Sequence, residues 1–543
     1  MSNAHSVINE LNSVIGGFTS HVDKRIQVID QQAQHAHQAA GTALARIQQF
    51  KKDMIADEQM QSAHENILRL DQIIREKFES NIKVRRTVMG VVKDFDINLC
   101  RNSTIEELSE ELWITSSRYW LSFALISLSA WVNDAKVLAD NAVSEAVRTN
   151  AIKSNLFFCL VNLRFGRLDA AKKWLTQYFR SVVPTAIQNE TAILLQAYIN
   201  GVFGVDKSLE YEIQRVVDAW VKDINMDADL TAELVADFEG YISKINPGVN
   251  FSCPNLSQYC SVTAQMQGPY LESFKYAKMI ELVKSLDVAR VVQNASNYKQ
   301  RIDAILTDLI TNYDDEELAI KEQKEYYQLI MDNKGNIEAA EAQFKERQRV
   351  RGKTQNIGRK LIEWALYKTS GDVNIHVRKF AFQNAKGWFL TALENWSTRV
   401  EEAFPTSYPI TIGDWSCVST GDDQLEQENA FREHLEKNKL RTMYFNNPNI
   451  LMAIGFLIGL IGGLSTVFNE SSRVIGFILL GIAVVLGVVV GIRCATAGSK
   501  FNKMVAEKLG ILSACMAELT KIRNTFYANL QNKNKLFNMT EHL

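Results

Sequence analysis

Two uncharged apolar runs, Ile450–Phe468 and Val474–Ile492, constrain this chain more than anything else in it. Each is nineteen residues long, and only Asn469-Glu470-Ser471-Ser472-Arg473 lies between them. A helix needs about 20 apolar residues to cross a hydrocarbon core of about 30 Å, so each run has the length of one span. A five-residue connection leaves room for a tight turn and nothing more. The predicted element is therefore a transmembrane hairpin of two antiparallel helices, 450–492, near the end of the chain.

The flanks orient it. Arg432, Lys437, Lys439 and Arg441 precede the hairpin, and Arg493, Lys500, Lys503 and Lys508 follow it. Basic residues are retained on the cytoplasmic side, so both termini are expected there and the turn outside. In a bacterium this means the inner membrane, with the turn in the periplasm. Met1 to Val22 has neither the compact apolar core nor the small-residue cleavage site of a secretory signal, so the body is expected to stay where it was made. Neither span contains a charged residue, which argues against an ordinary proton or ion relay. Gly455, Gly459 and Gly463 recur every fourth residue, as do Gly487 and Gly491. Such spacing lets helix backbones approach closely in lipid. The stripes predict packing of the two spans on each other, or of one hairpin on that of a neighbouring subunit.

The remaining chain reads as helix. Seven prolines in 543 residues, none before Pro184, and little glycine outside the hairpin leave few turns for a sheet. The fold class expected is all-α: long coiled-coil-like helices and helical hairpins, ending in the membrane hairpin. Leu11, Ile15, Phe18, Val22, Ile26, Ile29, Ala33, Ala36, Ala40, Leu44, Ile47 and Phe50 recur at steps of three and four. That stripe suits an exposed coiled coil or a bundle helix. A second periodic segment through Ile67, Leu70, Ile74, Phe78 and Ile82 predicts a partner helix, so residues 1–100 are expected to form an antiparallel helical hairpin. Asn102-Ser103-Thr104 before Glu106 and Glu107 has the pattern of a helix start.

Residues 101–246 read as a domain of helical hairpins. Its stretch from Trp113 to Val132 is strongly apolar, but Arg118 leaves only fourteen uncharged residues, so a buried core helix is expected rather than a third span. Helices over 151–165 and 170–183, around Gly166-Arg167-Leu168-Asp169, resemble a single tetratricopeptide-type unit in their small and aromatic residues. Pro247, Pro254 and Pro269 mark 247–270 as an irregular linker. A charged helical domain follows over 271–404. Residues 405–449 form a link around Pro405 and Pro409, with strand character at Ile410 and Ile412, then a polar helix. Residues 493–543 form a C-terminal amphipathic helix.

Little chemistry is encoded. Gly352-Lys353-Thr354 has the ending of a phosphate-binding loop, but Arg347 stands where the first glycine belongs and no strand precedes it. His35 and His37 point to different helix faces, and no His-Glu-x-x-His occurs. Asp314-Asp315-Glu316-Glu317 lacks the alternating ligands and central glycine of a calcium loop and suits the acidic start of a helix. The seven cysteines are scattered, as expected of reduced thiols. No catalytic constellation, metal site or cofactor site emerges. Lys345, Arg347, Arg349, Arg351, Lys353, Arg359 and Lys360 form a basic run. It offers contact with anionic lipid or an acidic partner, or a solvated helix end balanced by nearby acids. A net charge of -2 and the lack of interleaved aromatics argue against nucleic acid.

These features predict a membrane-anchored cytoplasmic scaffold or adaptor, non-enzymatic, that binds lipid through its hairpin and protein partners through its helices, and that self-associates. In layout, long helices flanking an apolar hairpin, the chain also resembles α-helical pore-forming toxins over the hairpin and its flanks. That resemblance implies a membrane-permeabilising oligomer as the alternative.

Overall fold

The computed structural model describes residues 2–94, 111, 113, 118–287, 296–351, 354–367, 373–443, 447–468 and 473–543. The expected helix start at 102–107, Cys100, Lys353 and the turn residues 469–472 lie outside the described residues. Among those described, the protein is all-α except for one two-stranded hairpin. The chain divides into two compact units, Met1–Val216 with Asn294–Gln355, and Val217–Gln293 with Asn356–Leu543.

The first unit is built on a single helix, Ser2–Asp94, of 93 residues. The hairpin expected within 1–100 does not form, because the two periodic segments are one uninterrupted helix. The physical reason is in the sequence between them: Lys51 to Ser62 contains no proline, glycine or asparagine to stop a helix. The inner half of this helix is docked. Ala63 packs with Leu329, Ile330 and Ala340 from a helical pair, Asp315–Asp332 and Ile337–Arg351. That pair turns through Lys334 and Gly335, both at positive φ. Gly335 seats against the helix so closely that a Cβ there would lie 2.7 Å from Ala56 Cα. Farther along, Arg85 donates two hydrogen bonds to Glu317, at 2.7 and 2.8 Å, with the Glu317 side chain wholly buried. Tyr119 lies beside this pair, and burial pushes its phenol up to about 12.

The Trp120–Val132 helix is buried from Trp120 through Ala130, as its short uncharged length implied. Helices Ala151–Arg164 and Leu168–Ser181 follow as a hairpin. Asn150 caps the first by accepting from the Lys153 N–H at 2.9 Å, and Gly166, at φ 70°, closes the turn.

In the second unit, helices Ala228–Lys244, Ile357–Leu366 and Ile375–Ala403 form a core in which Phe238 meets Phe389 edge to face. The predicted strand exists as β1 (Tyr408–Ile412). It pairs antiparallel with β2 (Trp415–Ser419), Ile410 opposite Cys417, around Gly413 at φ 67°. The 247–270 stretch expected as a linker belongs inside this unit, with short helices at Leu256–Tyr259 and Thr263–Ser273.

Candidate membrane hairpin and association surfaces

Each apolar run becomes a helix, Asn447–Val467 and Arg473–Leu530, and both are long and apolar enough to cross a membrane. Their apolar windows are only 6% and 11% buried. What is buried is a narrow seam between them. At Gly463 a Cβ would lie 2.8 Å from Leu480 Cγ, and at Gly459 it would lie 3.2 Å from Ala483 Cβ. Gly455 faces Leu486 at an ordinary 3.5 Å. From the other side, a Cβ on Gly487 would meet the Phe456 ring at 2.9 Å. Four of the five candidate glycines therefore pack the two spans of one chain on each other. Gly491, with nothing within 4 Å, does not take part.

The closest approach falls on a residue that the four-residue spacing did not single out. A Cβ on Gly476 would lie 2.6 Å from Val467 Cγ2 and 2.7 Å from Val467 N, where the helices meet beside the turn. Its signal was position alone: a glycine three residues into the second span, opposite the end of the first. Ala483, 1% exposed, is the other small residue of the seam. Outside the seam the faces are large and apolar, with Leu457, Ile461, Phe477, Ile482 and Val485 all exposed. An apolar surface around the circumference of both helices matches hydrocarbon, not water.

The second apolar helix does not end with its apolar run. It continues to Leu530 as one helix of 58 residues, about 87 Å at about 1.5 Å per residue. Its continuation is docked in the second unit through Leu512, Cys515, Met516, Leu519 and Phe526, all essentially buried. Phe404 stacks flat on Phe526 at 3.8 Å. Glu518 accepts from the backbone N–H groups of Asn255 and Leu256, at 3.1 and 2.8 Å, and from Asn255 Nδ2 at 2.7 Å. A carboxylate at the start of the Leu256–Tyr259 helix satisfies N–H groups that have no partner in the helix. Arg523 pairs with Asp422, and Thr520 Oγ1 donates to the Gly421 carbonyl at 3.0 Å. At the base of the hairpin, Met443, Ala497 and Phe501 form a small cluster with Met504 and Val505.

The first unit carries a second exposed apolar feature. From Asp23 to Ile55 every residue of the N-terminal helix is exposed, Ile29, Ile47 and Phe50 among them, and so is Phe18 before this stretch. Apolar side chains at 62–69% exposure lie along one stripe of this helix, an exposed apolar surface larger than scattered single residues give.

The basic run is divided between the units. In the first, Lys345 pairs with Glu341, Arg347 with Glu325 at 2.7 Å, and Arg349 with Glu346 at 3.0 Å. In the second, Arg359 pairs with Glu233 at 2.6 Å and Lys360 with Glu363 at 2.9 Å. Arg351 is helical, but its side chain is outside the described set. Each described cation of the run thus has a carboxylate partner. Among the described residues, no group of three or more His, Cys, Asp or Glu side chains is placed to hold a metal ion, and the six described cysteines are free thiols.

No protein-family model, curated protein or solved structure matches this chain.

Proposed function

We propose that this protein is a membrane-anchored helical scaffold. The observation that carries the reading is the 58-residue helix that begins with the second apolar run and continues as a docked helix of the second unit. A loose tether would join span to body through a flexible segment. Here any tilt of the hairpin is transmitted to Glu518, Thr520 and Arg523, which tie the helix to its surroundings. The bare half of the N-terminal helix supports a role in association, and the internal pairing of the hairpin glycines supports an anchor complete within one chain. The basic flanks put both termini in the cytoplasm and the 469–473 turn outside, at the inner membrane if the cell is bacterial. Its partners are membrane lipid and other proteins, and its role is binding rather than catalysis.

Reconstitution into liposomes tests the reading. The scaffold is expected to float with the vesicles after carbonate treatment and to leave a trapped dye inside at low protein-to-lipid ratio. Dye release would replace the scaffold with the membrane-permeabilising reading. Recovery of the protein in the soluble fraction would overturn both. Sidedness is read by labelling Ser471→Cys with an impermeant maleimide on intact cells, where protection of that thiol would reverse the orientation.

A further inference from the structure

The bare stretch of the N-terminal helix has a self-complementary pattern. Between Val22 and Met54 it follows a strict seven-residue repeat, with apolar side chains at every a and d position. The a positions begin at Ile26 and end at Met54, and the d positions begin at Val22 and end at Phe50. The sizes of these side chains mirror about Gln38. Ile29 lies nine residues before it and Ile47 nine after; Ile26 and Phe50 stand twelve to either side. The four layers nearest the centre, Ala33, Ala36, Ala40 and Ala43, are all alanine.

We propose that residues 22–54 pair with the same residues of a second copy of this chain, antiparallel and centred on Gln38. Turning a copy end for end about that point places each a position against a d position. Ile26 then meets Phe50, Ile29 meets Ile47, and Ala36 meets Ala40. Large layers close both ends of the seam, and the alanine layers between them let the two backbones approach.

Charge chooses between the possible orientations. The e and g positions flanking the seam set pairing and direction in coiled coils. In the antiparallel register Asp23 falls beside Lys51 of the other copy, and Arg25 beside Asp53, and the two-fold symmetry repeats both attractions. A parallel pair would set Arg25 near Asp30 but Arg46 near Lys51, one attraction against one repulsion. The polar side also excludes a membrane surface as the better occupant. It is rich in glutamine, with Gln27, Gln31, Gln34, Gln38 and Gln48, and its charges are few and of both signs. Helices that lie on anionic lipid carry an excess of Lys and Arg there. The proposal rests on reading this stretch as an association surface and is independent of the hairpin.

The test is site-specific photo-cross-linking of the full-length protein in lipid nanodiscs, using benzoylphenylalanine in place of Ala39 or of Ile29. Ala39 lies beside its own copy in the antiparallel register, so a chain-to-chain adduct mapping close to residue 39 is expected. The adduct from position 29 is expected close to Ile47 of the other copy. Mapping to residue 29 itself means a parallel pair and overturns the proposal; so do adducts confined to the same chain, or to lipid. If the protein stays in the nanodisc while its adducts are with a different protein, the pairing fails and the scaffold reading stands. Loss from the nanodisc would instead count against the scaffold. A charge exchange gives a second readout. Lys51→Glu turns two attractions repulsive and is expected to weaken dimerisation roughly five- to ten-fold. Adding Asp23→Lys is expected to restore it. Absence of rescue overturns the register, since positions 23 and 51 meet only in the antiparallel pair.

Discussion

Two helices dominate this molecule, and they differ most where they are bare. Ser2–Asp94 and Arg473–Leu530 are each docked over their C-terminal portion and unpacked over much of the N-terminal portion. In the first helix the bare portion is striped, apolar on one side and rich in glutamine on the other. In the second it is apolar around its whole circumference, apart from the seam with its neighbour. A striped surface gains by burying one face against another helix and keeping the other in water. A surface apolar all round has no such face, and hydrocarbon is the medium that suits it. The same exposure therefore points to different surroundings, and polarity pattern rather than length separates them.

The largest expected effect lies in a docked portion, where the comparison predicts that substitutions unfold rather than unpair. Glu317→Ala leaves Arg85 buried without its carboxylate, and breaking such a pair costs about 3–5 kcal/mol. Denaturant unfolding of the first unit is expected at a clearly lower midpoint. The matching change on the bare portion, Asp53→Ala, is expected to move it by less than about 0.5 kcal/mol. Equal effects would mean that the arm is as structurally committed as the docked half.

Next in size is a charge placed on the bare surface of the second helix. Val485 is 62% exposed near the middle of the second span. Val485→Arg is expected to cost about 2.5–3.5 kcal/mol of membrane insertion, read as a shift from inserted to translocated product in an insertion assay. Insertion unchanged by that arginine would remove the hairpin from the lipid. Within the seam, Gly476→Leu forces the Val467 backbone to move and is expected to cost about 1–3 kcal/mol. Gly491→Leu meets nothing within 4 Å and is expected to be silent in the same unfolding measurement in bicelles. If Gly491→Leu instead dissociates an oligomer, the outer face of the hairpin also joins subunits.

Much of this was legible in the sequence, for reasons that can be named. The two long apolar helices are legible because each arises from nineteen consecutive uncharged residues. The Trp120–Val132 helix is legible as core because about 20 Å of helix is too short to cross a bilayer. β1 shows in its alternation around Pro409, whereas β2 is signalled only by Gly413-Asp414 standing between two alternating runs. Two periodic segments predict two helices where one forms, because the stripe runs through both the docked and the bare part of a single helix. Periodicity reports that a face exists and is silent on what covers it. The seam has the same limit: Gly455, Gly459 and Gly463 were visible as a stripe, but only the register of the two spans shows Gly476 to be the tightest point. Nor does local pattern reveal that residues 294–355 return to the first unit, since that depends on contacts between distant segments.

The smallest effect on stability is the one that sharpens the comparison most. Ile29→Arg sits on the bare stripe at a residue 62% exposed, so the folded chain loses almost nothing that it had buried. In this variant the unfolding midpoint of the docked half of the first unit is expected to stay within about 0.5 kcal/mol of the parent. Yet it places a guanidinium against Ile47 of a paired copy, with no carboxylate positioned to receive it, so the full-length protein in nanodiscs is expected to become monomeric by mass photometry. A variant that is both monomeric and equally stable shows that the stripe serves a partner. If the docked half is destabilised, the stripe is covered by its own chain. If the variant is stable and still dimeric, the copies are held together elsewhere, and the difference between the two bare surfaces does not arise from what they bind.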